Sequence, residues 1–157
     1  MNQLISRARQ ATRLADLLQP VLLLAARLYV AKVFIQSGLV KISDWGATLA
    51  LFRDEYKVPL LPPDLAAVVG TFGELCFPVL IVLGLAGRLG AAGLFVVNAM
   101  AVLSYPQLWG FDCPAGIHQH FYWGSLLLAL VAFGPGALSI DALLLRRLGL
   151  PARPQAA

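Results

Sequence analysis

The chain has 157 residues, enough for one domain, of which 59% are apolar and 13% charged, with a net charge of +4. That composition excludes an ordinary water-soluble globule, and four long apolar stretches leave too little polar sequence for a separate soluble domain. The basic excess calls for no nucleic acid, because anionic inner-leaflet lipid accounts for a basic cytoplasmic rim.

Residues 1–19 set Leu4, Ile5, Ala8, Leu14, Leu17 and Leu18 among arginines at near-helical spacing. The pattern predicts an amphipathic helix lying on the cytoplasmic leaflet and broken at Pro20. A cleaved signal peptide is the competing expectation, since Arg7, Arg9 and Arg13 precede an apolar stretch. A secretory apolar region runs about 7–15 uncharged residues before its cleavage site. Here only Val21 to Ala26 are uninterrupted before Arg27, and the apolar pattern then continues, so the segment is read as retained.

The first span covers about 21–40 and carries Arg27 and Lys32. Counting about 1.5 Å per residue, they lie about 9 Å and about 17 Å into it. Gln36, four residues after Lys32, extends a polar face, and Lys41 reaches the outer interface. In the loop that follows, Leu49, Phe52 and Tyr56 share one helical face, which predicts a short helix over the bundle mouth. "VPLLPP" ends it, because proline cannot continue a helix. Asp64 is the expected N-cap of the second span, 64–86.

Glu74 lies about ten residues into that span, with Pro78 removing the amide that would bond its carbonyl. A very short "GLAGR" turn makes the second and third spans antiparallel neighbours. Gly70, Gly73, Gly90 and Gly93 permit close packing there. The third span, 89–108, brings Asn98 to the depth of Glu74. Depth counting therefore places Glu74, Asn98 and one or both of Lys32 and Arg27 in one layer, and predicts that Glu74 pairs with Lys32 or Arg27. Intramembrane ionisable residues are functional candidates by default, although a structural ion pair or snorkelling of Arg27 explains the same pattern.

The fourth span covers 119–134, with His120 at its start and Trp123 three residues on. A straight helix from His120 to Leu145 would be about 39 Å long, too long for a hydrocarbon core of about 30 Å. Gly134, Pro135 and Gly136 break it; Ser139 then caps an interfacial helix over 138–148, with Asp141 in its first turn and Arg146 and Arg147 in its last. A tail, 149–157, follows.

The fold predicted is all-α: an integral four-helix membrane bundle over 20–145 with amphipathic interfacial helices at both ends. Arg7, Arg9, Arg13, Arg88, Arg146, Arg147 and Arg153 fall on one side and Lys41, Arg53 and Lys57 on the other, so seven against three predicts both termini in the cytoplasm. Cys76 and Cys113 differ too much in depth to bridge, and no C-x-x-C exists. Cys113, His118 and His120, with Asp112 as a further candidate, are the only cluster resembling metal ligands, and the C-x4-H-x-H spacing matches no standard zinc or copper pattern.

Taken in order, "ARLYVAKVFIQSGLVKISD", "VPLLPP", "GELCFPVLIVLGLAGR", "HFYWG" and "GPGALSID" resemble the DoxX family of small four-helix membrane proteins over about residues 21–145. Arg27, Lys41, Glu74, His120, Trp123 and Asp141 fall on positions typical of that family; Lys32 and Asn98 are singled out by depth alone. The family is named for a subunit of a thiosulfate:quinone oxidoreductase, and other members are linked to redox homeostasis or membrane-protein assembly. The resemblance implies an inner-membrane subunit of a quinone-linked redox complex. Glu74, Arg27, Lys32 and His120 are then the candidate catalytic residues, and Gln36, Lys41, Asn98 and Trp123 the candidate quinone pocket. No cofactor is encoded, so electrons would come from other membrane or redox proteins; a second copy of the chain is a further candidate partner. The alternative is a non-enzymatic assembly or adaptor protein. Transport is disfavoured, because four short helices leave little room for alternating access.

Overall fold

A computed structural model describes residues 2–110 and 114–150. These residues form six α-helices and no strand: α1 (Asn2–Ser43), α2 (Trp45–Asp54), α3 (Pro63–Leu83), α4 (Gly87–Ser104), α5 (Pro114–Phe133) and α6 (Ile140–Arg147). A 3-10 turn, Pro106–Trp109, lies between α4 and α5.

Three helices are long and apolar enough to cross a membrane: residues Ala15–Ser43 of α1, α3 and α4. α5 has 20 residues, about 30 Å, and completes the bundle, but His118, Gln119 and His120 make its first turns polar. Large apolar side chains such as Leu28, Val40, Phe72, Val79, Val96 and Leu128 point outward, as they must where lipid replaces water. α1 packs on α3 and α5, α3 on α4, and α4 on α5, so the four helices close around Val30, Phe34, Ile81, Leu94 and Leu127.

Two sequence expectations are corrected. α1 does not break at Pro20 but runs through it as one helix of 42 residues. A proline costs the helix one amide bond and a local clash, and the turns on either side keep their own bonds. Asp64 is not the cap of α3. Pro63 opens that helix with Pro62 at the cap position, and proline at a first helical position loses only an amide that would be unpaired anyway. Asp64 instead accepts two bonds of 2.7 Å from Arg53.

The expected short helix is α2. Its cap is Asp44, which accepts from the Ala47 amide at 2.9 Å. Phe52 is buried against Ala66 and Ala67 of α3, and Tyr56 stacks edge-on between Phe52 and Tyr105. α2 thus closes one end of the bundle, and α6 lies at the other.

Candidate functional site

Arg27, Thr48, Glu74 and Asn98 belong to three clusters of polar groups, and α1 carries two of these clusters. Near its end, Gly38 lets α1 approach α3 so closely that an added Cβ would lie 2.7 Å from Leu75 Cδ2 and 3.3 Å from Glu74 Cβ. Glu74 is therefore level with Gly38, and the cation one turn further on reaches it. Lys41 Nζ lies 2.7 Å from Glu74 Oε2 and 2.9 Å from Oε1, and donates to Ser37 Oγ at 2.9 Å. The Ser37 hydroxyl donates in turn to Glu74 Oε1 at 3.2 Å. The side chains of the pair are only 14% and 10% exposed. Thr48 of α2 fastens this corner by donating to the Lys41 carbonyl at 2.8 Å.

The expected partners of Glu74 are thus corrected: it pairs with neither Lys32 nor Arg27. Lys32 is nine residues before Lys41, about 900° around the helix, which puts it on the opposite face; it is exposed. Arg27 shares the face of Lys41 but lies 14 residues away, about 21 Å along the axis. Depth counting took the span to end at Val40 and missed that the helix continues to Ser43.

Arg27 builds the second cluster, at the α6 end, where it is only 1% exposed. Its Nε donates to Ile81 O at 2.7 Å and its Nη2 to Val82 O at 2.6 Å. Its Nη1 donates to Pro135 O at 2.8 Å and to Leu138 O at 2.7 Å. Two of these carbonyls belong to the last turn of α3, where carbonyls lack helical partners and a cation is favoured. The other two belong to the Gly134-Pro135-Gly136 break and the strand of chain leading to α6. Ser139 caps α6 by accepting from the Ala142 amide at 3.1 Å. Asp141 does more than favour its own helix, since its carboxylate accepts from the Ala86 amide at 2.9 Å and the Gly87 amide at 3.0 Å, capping α4.

The third cluster joins α4 to α5. Asn98 is buried; its Nδ2 donates to His120 O at 3.0 Å, and its Oδ1 lies 2.9 Å from His120 Nδ1. Trp123 packs edge-on against both His120, 5.0 Å away between centroids, and Phe34, 5.8 Å away. Its buried indole N–H has no hydrogen-bond partner among the described residues. His120 is within electrostatic reach of Lys41, while His118 is exposed. Cys113 and Asp112 lie outside the described residues, among which no group of three metal-ligating side chains occurs.

An open cleft of about 610 Å³ runs between α1 and α2 beside the first cluster, lined by Gln36, Ser37, Lys41, Asp44, Thr48 and Tyr56 among others. Burial, with the Glu74 charge adding to it, pushes the Tyr56 phenol up to about 12, so it is a neutral hydroxyl at physiological pH. The cleft offers an ammonium, a carboxylate, hydroxyls and an amide next to the exposed, apolar Val40. Of the sequence candidates, Gln36 and Lys41 line the cleft and Glu74 joins them through Lys41; Asn98, His120 and Trp123 form their own group, and Arg27 and Lys32 join neither. Sequence reasoning missed Ser37, Thr48 and Tyr56; only the four-residue spacing of Ser37 and Lys41 could have signalled the first of them.

A helical bundle with outward apolar faces and inward charges is a multi-pass membrane protein. The chain belongs to the DoxX family, whose sequence model matches residues 22–107. It is 32% identical over 129 residues to an uncharacterized protein of Haemophilus influenzae, covering 79% of this chain and 83% of that one. It is 32% identical over 130 residues to the inner membrane protein YphA of Escherichia coli, covering 78% and 90%. No solved structure matches it.

Proposed function

We propose that the protein is a subunit of a quinone-linked redox complex of the bacterial inner membrane, and that the α1–α2 cleft takes the quinone headgroup. The observation that carries this reading is the cleft of about 610 Å³ with Lys41, the partner of Glu74, in its wall. Its donor set fits the group: the Gln36 amide and the neutral Tyr56 hydroxyl can donate to quinone carbonyls, and Val40 offers an apolar edge for a tail. A bound quinone supplies two-electron, two-proton acceptor chemistry, with the electrons coming from a partner protein. Glu74 holds or releases a proton at its carboxylate, and Lys41 and Ser37 orient that carboxylate.

The uneven distribution of lysine and arginine supports a topology with the α6 end in the cytoplasm and the α2 end outside. The cleft then opens at the outer leaflet.

The test is a titration of purified protein in micelles with a short-tailed ubiquinone analogue. Saturable binding is expected, weakened at least about tenfold by Lys41→Met together with Glu74→Gln and unaffected by Lys32→Met. Equal binding by all three proteins would sink the reading. A second reading, a non-enzymatic adaptor, is favoured by one observation: Arg27, the most buried cation among the described residues, spends its donors on backbone carbonyls. Absence of any saturable quinone binding, with stable co-purification of another membrane protein, would establish it.

A further inference from the structure

The Asn98–His120–Trp123 cluster carries an inference about a second group of hydrogen-bonding atoms. Asn98 has one donor group and one acceptor. Because its Nδ2 donates to the His120 carbonyl at 3.0 Å, the atom facing His120 Nδ1 at 2.9 Å is the acceptor Oδ1. That contact is a hydrogen bond only if Nδ1 carries the proton. Two elements fix the arrangement. Asn98 is buried on α4, and an added Cβ at Gly124 of α5 would lie 3.3 Å from its Nδ2, so the glycine lets α5 pack closely on the amide.

In the neutral ring the lone pair is therefore on Nε2, for which no hydrogen bond is recorded among the described residues. The Trp123 ring stands edge-on to this imidazole, 5.0 Å away, and its buried N–H has no partner among the described residues. An unpaired buried donor costs about 1–3 kcal/mol, which makes the indole N–H a candidate donor to a bound group. One ring offers an acceptor and its neighbour a donor, which is the complement of a hydroxyl group.

We propose that Asn98 is a positioning residue that locks His120 in the Nδ1–H form, and that His120 Nε2 and the Trp123 indole N–H together bind one hydroxyl group. The hydroxyl belongs to a phenol or hydroquinone, or to a water molecule. Its O–H donates to Nε2 and its oxygen accepts from the indole. The hydroquinone identity rests on the redox reading above; the tautomer and the hydroxyl site do not.

The experiment is nuclear magnetic resonance of the full chain in micelles, with ¹⁵N-labelled histidine and tryptophan in a His118→Gln background so that one imidazole is observed. At a pH where the ring is neutral, the His120 signals are expected to be those of an Nδ1-protonated ring. Asn98→Asp, which keeps an acceptor oxygen, should retain them, and Asn98→Leu should shift the ring toward the Nε2–H form. An Nε2-protonated ring in the otherwise unmodified protein would overturn the lock, so the result stands even where Asn98→Leu folds poorly.

A short-tailed hydroquinone is then added. Joint movement of the His120 Nε2 and Trp123 indole signals, with binding weakened about threefold to tenfold by Trp123→Phe, supports a phenolic ligand. Unmoved signals, together with an indole proton in contact with bound water, assign the hydroxyl to water. Unmoved signals with no water contact overturn the site. Loss of quinone binding at the α1–α2 cleft, with the tautomer as expected, would remove the redox reading and leave the lock.

Discussion

Lys41 and Glu74 form the buried one of two ion pairs among the described residues, and Arg53 and Asp64 the exposed one. Burial decides what each contributes, because an exposed pair gains little while a stranded buried charge is costly. Glu74→Gln leaves Lys41 without its counter-charge and is expected to destabilise the solubilised protein by about 3 kcal/mol. Lys41→Met combined with Glu74→Gln should recover much of that loss, and Lys32→Met with Glu74→Gln should recover none; chemical denaturation of the four proteins checks both. Arg27 tests a different chemistry. Arg27→Lys keeps the charge but cannot reproduce a planar fork reaching four carbonyls, and should cost at least about 2 kcal/mol, read as a lower unfolding midpoint. The charge of Arg27 was legible in the sequence, but its partners were not, since backbone carbonyls carry no sequence signal. The Lys41–Glu74 pairing was hidden for another reason: it depends on the helix register that the close approach at Gly38 sets.

The elements at the α6 end hold one another through backbone groups. The α3–α4 turn contributes the Gly84 carbonyl, which accepts from the Asp141 amide at 3.0 Å, and the two amides that the Asp141 carboxylate caps. Gly84 itself sits at φ 63°, and an added Cβ would collide with the Ser139 side chain and lie 2.7 Å from Arg27 Nη2. Gly84→Ala therefore combines a left-handed backbone penalty of about 1–2 kcal/mol with a clash in the arginine site. Its unfolding midpoint should fall by as much as that of Arg27→Lys or more, and the two losses should not add in the double variant, because they damage one cluster. Much of this end was readable, since Ser139, Asp141 and the Gly-Pro-Gly break are local signals that need no knowledge of tertiary contacts. The capping of α4 by Asp141 was not, because it joins residues 54 and 55 positions apart. The run of α1 through Pro20 was unreadable for the opposite reason: the local signal for a break was present, and the helix on both sides overrode it.

On the scale of the whole molecule, two of the three polar clusters lie at opposite ends. Arg27, Gly84 and Asp141 fasten the α6 end, while Lys41, Glu74 and the cleft lie at the α2 end. The topology proposed above is checked by reporter fusions after Gly87 and after Ala157, both expected to behave as cytoplasmic; an external signal from either contradicts it. Both ends contribute stability, and the proposed quinone cleft lies at the α2 end. The most direct test is photolabelling of the intact protein in lipid vesicles with a short-tailed, photoreactive quinone, with the adducts mapped by peptide mass spectrometry. The account predicts adducts at residues between Gln36 and Tyr56, joined by His120 or Trp123 where the hydroxyl site is phenolic, that disappear when excess unlabelled quinone competes. Adducts spread along the lipid-facing sides of α3 and α5, with no competition, would contradict it.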